Sequence, residues 1–126
     1  MKIGITAYNP LSSFTVIVRG LFRYFTERGY EVVLIGVEEK RPKLPKVDVL
    51  IYVGNPDFTA ITQPYVARAI KKAKARRKIA YIVLEAPLLD GGLTFLESFD
   101  FVVGQSNFVC REVKLRSVDC TVVYVG

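Results

Sequence analysis

The sequence predicts an α/β domain, a three-layer, doubly wound, mostly parallel sheet of about six strands. Three observations predict it. Short apolar runs recur along the 126 residues, they are nearly continuous in Val, Ile and Leu, and amphipathic helical patterns lie between them. Continuous apolar runs of strand length suit strands covered on both faces. Alternation of strand and helix joins parallel neighbours through right-handed crossovers. A chain of this length is expected to form one domain, residues 1–126, burying roughly two thirds of its unfolded surface.

The first run, residues 2–7, starts directly after Met1 with no signal-peptide pattern. The joint Tyr8-Asn9-Pro10-Leu11-Ser12-Ser13 follows. Beyond it, Phe14, Ile17, Val18, Leu21, Phe22 and Phe25 share one helical arc, with Arg19, Arg23, Thr26 and Glu27 opposite. Ser12 or Ser13 is a candidate cap for this helix, and Gly29 stands at its C′ position. Residues 31–37 and 47–53 form the second and third runs, with a loop over 38–46. A helix over 59–76 would bury Val66, Ala69, Ile70 and Ala73. The fourth strand spans 79–84, and the loop 85–99 contains a helical turn around 94–98. Residues 101–103 form the fifth strand, a helix over 107–115 starts after the cap candidate Ser106, and 121–125 form the last strand. The tight first strand-to-helix joint favours the Rossmann-like order 3-2-1-4-5-6.

In such a sheet, ligands bind beyond the carboxyl ends of the strands at the switch point, here expected between the first and fourth strands. Residues 8–13 and 85–92 then flank the crevice, with residues 54–57 and 105–107 on the same rim. A dinucleotide site would need GxGxxG in the first joint, which contains no glycine. Glu38 stands where a ribose-binding acid would, but without the glycines it reads as a solvated loop charge, and no acid follows the first strand as a phosphorylated receiver domain would need. Tyr8, Asn9, Ser12 and Ser13 offer hydroxyls, an amide and helix-start N–H groups, which suit hydroxylated groups or a phosphate. The same residues also read as a plain capped turn. Asn55 and Ser106 are further ligand-binding candidates on the rim. Glu85 is the best-placed carboxylate for sugar hydroxyls or proton transfer, and Asp90, beside Gly91-Gly92, is the second.

Composition narrows the partners. Hydrophobic residues make up 51% and charged residues 24%, which argues against disorder, and no apolar run is long enough to span a bilayer. The expected location is cytoplasmic. The formal charge of +6 has its densest source in residues 68–78, where seven of eleven positions are basic. Lys71, Lys72 and Arg76 on that segment are candidate contacts for an anionic membrane surface, against the alternative of a solvated helix face. No aromatic residue interleaves the run, which argues against nucleic acid. Cys110 and Cys120 form no CxxC pair and the chain has no histidine, so no metal site is expected and both cysteines read as apolar side chains. A low Asn and Gln content beside abundant Val, Ile, Lys and Arg has a thermophile character, in which an internal disulfide is less unusual.

Several stretches then resemble a family. They are Met1-Lys2-Ile3-Gly4-Ile5, the helix from Phe14 to Gly29 followed by Tyr30-Glu31-Val32-Val33-Leu34-Ile35, and the segment from Phe99 through Asp100, Ser106, Phe108, Arg111 and Glu112 to Val113. Together they resemble the N-terminal half of GT-B glycosyltransferases of the retaining, sugar-nucleotide-dependent kind, which carry an "L…rGHeV" junction and a "D.vv..S.f.r.e" segment. Tyr30 stands in place of the family histidine, and the first loop lacks the family's glycine pair. The resemblance implies an acceptor-side domain, with nucleotide-sugar and a sugar or lipid-linked acceptor as partners. The donor pocket and a glutamate pair belong to a second domain that these residues do not contain; Glu31 and Glu39 share the pair's spacing by chance. No catalytic residue is therefore assigned here, no cofactor is required, and the chain alone is expected to be inactive, because glycosyl transfer needs donor and acceptor held together. The alternative is a non-catalytic Rossmann-like binding or assembly module.

Overall fold

The computed structural model of the chain describes residues 1–7, 14–36 and 44–124. Its elements in chain order are β1 (Lys2–Ala7), α1 (Phe14–Glu27), β2 (Glu31–Ile35), β3 (Val49–Gly54), α2 (Pro56–Thr62), α3 (Pro64–Lys72), β4 (Arg77–Ile82), α4 (Asp90–Leu96), β5 (Phe101–Gly104), α5 (Asn107–Lys114) and β6 (Thr121–Val122). All strand pairs are parallel in a single six-stranded sheet. The fold is the doubly wound, Rossmann-like α/β class that the apolar runs predict.

The strand order is 2-1-3-4-5-6, which corrects the expected 3-2-1-4-5-6. After β2 the chain crosses β1 and lands on its far side, so β1 pairs with both β2 and β3. Gly4 in β1 makes room for this crossing. A Cβ there would stand 2.6 Å from the Ile35 side chain and 3.1 Å from that of Val47, the residue that leads into β3. Ile35 and Val47 thus fill the space that a side chain would occupy between the two neighbours of β1.

The helices divide unequally between the sheet's faces. Ile17, Val18, Leu21 and Phe25 of α1 pack against Ile3, Ile5, Ile51, Val53 and Tyr81 on one face. On the other, α3, α4 and α5 bring Val66, Ile70, Phe95, Leu96, Val109 and Val113 against Leu50, Tyr52, Ala80, Ile82 and Val102. The rings of Tyr52, Phe95 and Phe99 meet there with centroids 5.0 to 5.8 Å apart.

The helix expected over 59–76 is two helices. Pro64 supplies no N–H and crowds the preceding residue out of helical geometry, so Gln63 adopts φ −129°, ψ 63° and ends α2. The turn expected around 94–98 is the full helix α4, and β4 begins at Arg77, two residues before the apolar run. Cys110 and Cys120 are buried as expected of apolar side chains, but they form a disulfide. The turn from α5 into β6 sets their Cα atoms 5.2 Å apart, within bonding range, a proximity that sequence spacing could not reveal.

Candidate functional site

With this order, the crossovers reverse direction between β1 and β3, which moves the switch point from the first and fourth strands to the first and third. The carboxyl ends of the strands are tied into one rim. The amide of Val83 donates to the Gly54 carbonyl (3.0 Å), that of Gln105 to Ile82 (3.1 Å) and that of Val123 to Gly104 (3.1 Å). Tyr8, Asn9, Ser12 and Ser13, and the capping role expected of the two serines, lie outside the described residues. Asn55 follows β3 and so stands at the switch point, Glu85 lies just beyond β4, and Ser106 follows β5.

Two of the predicted site residues, Asn55 and Ser106, also hold helix starts. Asn55 Oδ1 accepts from the amides of Asp57 (3.0 Å) and Phe58 (3.2 Å), and Pro56 supplies a preset backbone at the first helical position of α2. Ser106 Oγ accepts from Val109 N at 3.3 Å and caps α5, as its place before the helix predicts. Asp90 is ion-paired with Arg116, whose Nη1 also donates to the Leu88 carbonyl at 2.7 Å. Glu85 is exposed and has no hydrogen-bond or ion-pair partner among the described residues. These capping bonds use acceptors. Among the described residues nothing accepts from the Asn55 amide N–H groups or the Ser106 hydroxyl, which leaves them as donors, while Glu85 contributes acceptors.

Sequence reading assigned no role to Asp57. Both its carboxylate oxygens accept from Leu89 N at 3.1 Å, so the first turn of α2 caps the start of α4. Gly92 fits beneath the carboxylate because it has no side chain; a Cβ would fall 2.1 Å from Asp57 Oδ1. Burial pushes the Asp57 pKa above its ordinary value, against the Leu89 and Gly92 amides and the Arg116 charge, which pull it down. The only local signal was an acid in the first turn of a helix, which commonly needs no further partner.

Lys71 and Lys72 end α3, and Arg76 precedes β4, all exposed at the amino ends of the strands, opposite the rim. Lys78 is turned inward: its Nζ donates to the Lys71 carbonyl at 3.0 Å, and burial pushes its pKa down against the raising influence of Asp100. Among the described residues no helix is long and apolar enough to cross a membrane, and no group of three His, Cys, Asp or Glu side chains is placed to hold a metal ion.

No protein-family model matches the chain, and no curated protein matches it significantly. A functional reading therefore stands on the rim, the charge distribution and the resemblance of the motif stretches.

Proposed function

We propose that this domain is the acceptor-side half of a GT-B type glycosyltransferase that uses a nucleotide-sugar, and that it holds a hydroxylated or phosphorylated ligand at its rim. The observation that carries the reading is the coincidence, at the carboxyl ends of neighbouring strands, of the Glu85 carboxylate, which has no partner among the described residues, with the donors of Asn55 and Ser106. Glu85 would accept from sugar hydroxyls, and the donors would face phosphate or ring oxygens. Residues 8–13, which follow β1 at the switch point, would complete the contact, and Asp90 would act through its pairing with Arg116. Catalysis would require a donor-binding domain, so this chain alone would only bind.

Amide chemical-shift mapping with sugar phosphates and nucleotide-sugars tests the reading. Expected are shifts at residues 54–57, 85 and 105–107 that include 8–13, and weaker binding by Glu85→Gln without loss of fold. Shifts confined to other surfaces, or sugar transfer by the purified chain alone, would overturn it.

Lys71, Lys72 and Arg76 would bring the same domain to an anionic membrane carrying a lipid-linked acceptor, with the rim facing away from the strands' amino ends. Anionic vesicles should bind the chain at low salt and release it near physiological salt, where screening shortens to about 8 Å. Equal sedimentation of the Lys71→Glu, Lys72→Glu, Arg76→Glu variant would remove the membrane from the proposal. The alternative module reading draws on the capping roles of Asn55 and Ser106, and gains if Glu85→Gln leaves all ligand-induced shifts unchanged.

A further inference from the structure

We propose that the outer edge of the sheet, where β6 meets α5, docks an extended acidic segment of a partner protein as an added strand. Among the described residues β6 pairs only with β5, through Val103 with Thr121 and Gly104 with Val122. Val123 N donates inward to the Gly104 carbonyl, so by strand alternation the N–H and C=O of Val122 point to the open side. Beside this edge runs a cavity of about 460 Å³ lined by Asn107, Cys110, Arg111, Lys114, Leu115 and Val122. The α5 positions recur at helical spacing, so one face of the helix forms the groove's wall.

The chemistry of that wall selects the occupant. Leu115 is 71% exposed and gives an apolar floor. Arg111 and Lys114 are exposed and have no ion-pair partner among the described residues, and no acidic side chain lines the groove. A strand laid along β6 would satisfy the outward backbone groups of Val122, and carboxylates at alternate positions would meet the two cations. A second copy of this chain fits poorly. Two β6 edges related by a two-fold axis would set the Arg111 and Lys114 pairs against each other, and like charges in contact oppose such pairing. Nucleic acid would look for stacking rings, and the groove has none. The site adjoins the rim at Asn107 but does not depend on the ligand reading of the rim.

The test titrates the isotope-labelled chain with an acetylated hexapeptide alternating glutamate and valine, and in parallel with its lysine–valine counterpart. Expected are shifts confined to residues 107–122 with the acidic peptide alone, and slower hydrogen exchange of the Val122 amide at saturation. The Arg111→Glu, Lys114→Glu variant should bind the acidic peptide about tenfold more weakly or worse, the loss expected from two exposed charge contacts. Leu115→Ala, which leaves every charge in place, should also weaken binding of the acidic peptide and provides a second reading if the double variant folds poorly. Shifts centred on residues 68–78, equal response to both peptides, no shift at the edge, or self-association through β6 in sedimentation would each overturn the proposal.

Discussion

The two faces of the sheet are built to different depths. On one, the side chains of three helices and a ring cluster close over β3, β4 and β5, and Leu50, Ile70, Ala80, Ile82 and Val113 are fully buried. On the other, α1 packs over β1, β2 and β3. Beyond it, Ile79 and Val103 are half-buried and Phe101 is 56% exposed. The difference teaches where rigidity comes from in this domain. On the shallower face Tyr81 donates to the Val123 carbonyl at 2.8 Å, but the side chains that hold the helices at the rim belong to the deeper face. Asn55, Asp57, Arg116 and Ser106 fasten α2, α4 and α5 to one another and to the strand ends, whereas residues 8–13 lead from β1 into the helix of the shallower face.

The contrast should be largest in the cores. Ile70→Ala removes a fully buried side chain and should cost about 3–4 kcal/mol in urea unfolding, while Phe101→Ala should cost under about 1 kcal/mol. Equal losses would mean that the shallow face is covered in solution. The disulfide belongs to the deep face and closes a loop ten residues long, so Cys110→Ser with Cys120→Ser should lose about 2–3 kcal/mol, measured against the oxidised parent. A loss well below 1 kcal/mol would show that the turn from α5 to β6 is held by packing alone.

The clamp between α2 and α4 should give the next effect. Gly92→Ala forces a methyl group into the Asp57 carboxylate and should cost about 1–3 kcal/mol, and Asp57→Ala, which removes the cap on α4, about 1 kcal/mol. Because the second change abolishes the clash, the two together should cost less than their sum; strict additivity would separate Gly92 from the clamp.

The smallest effect is one of pH. Burial raises the Asp57 pKa in the folded state, so its contribution is fully present below the unfolded value near 3.8 and is lost as pH rises through the folded one. The stability advantage of the parent over Asp57→Asn should therefore be greater near about pH 3 than near about pH 7. An advantage that grows with pH would mean that the Leu89 and Gly92 amides outweigh burial.

Much of this molecule was legible from local pattern. The unbroken Val and Ile runs predict strands covered on both faces, and the structure places all six in one parallel sheet. Ser106 before an amphipathic stretch predicts a capped helix, and α5 begins there. Even the break at Pro64 is written locally, since proline disfavours helix at the residue before it, although the apolar spacing of Val66, Ala69 and Ile70 continues a helical pattern across it. A carboxylate after an apolar run is expected to emerge at the end of a strand, and Glu85 lies just beyond β4. What local pattern does not contain is which elements meet. The order of the strands depended on the side of β1 to which the chain returned, where Gly4 admits Ile35 and Val47 together. Asp90 acquired its role from Arg116, 26 residues away, and Asp57 from Leu89, 32 residues away. Cys110 and Cys120 became a bond because a turn of chain brought their Cα atoms to 5.2 Å. Periodicity records which side of each segment avoids water, and that sufficed for the layers. Pairings between distant segments are decided only when those layers pack, because the distances that make a hydrogen bond, an ion pair or a disulfide do not exist until then.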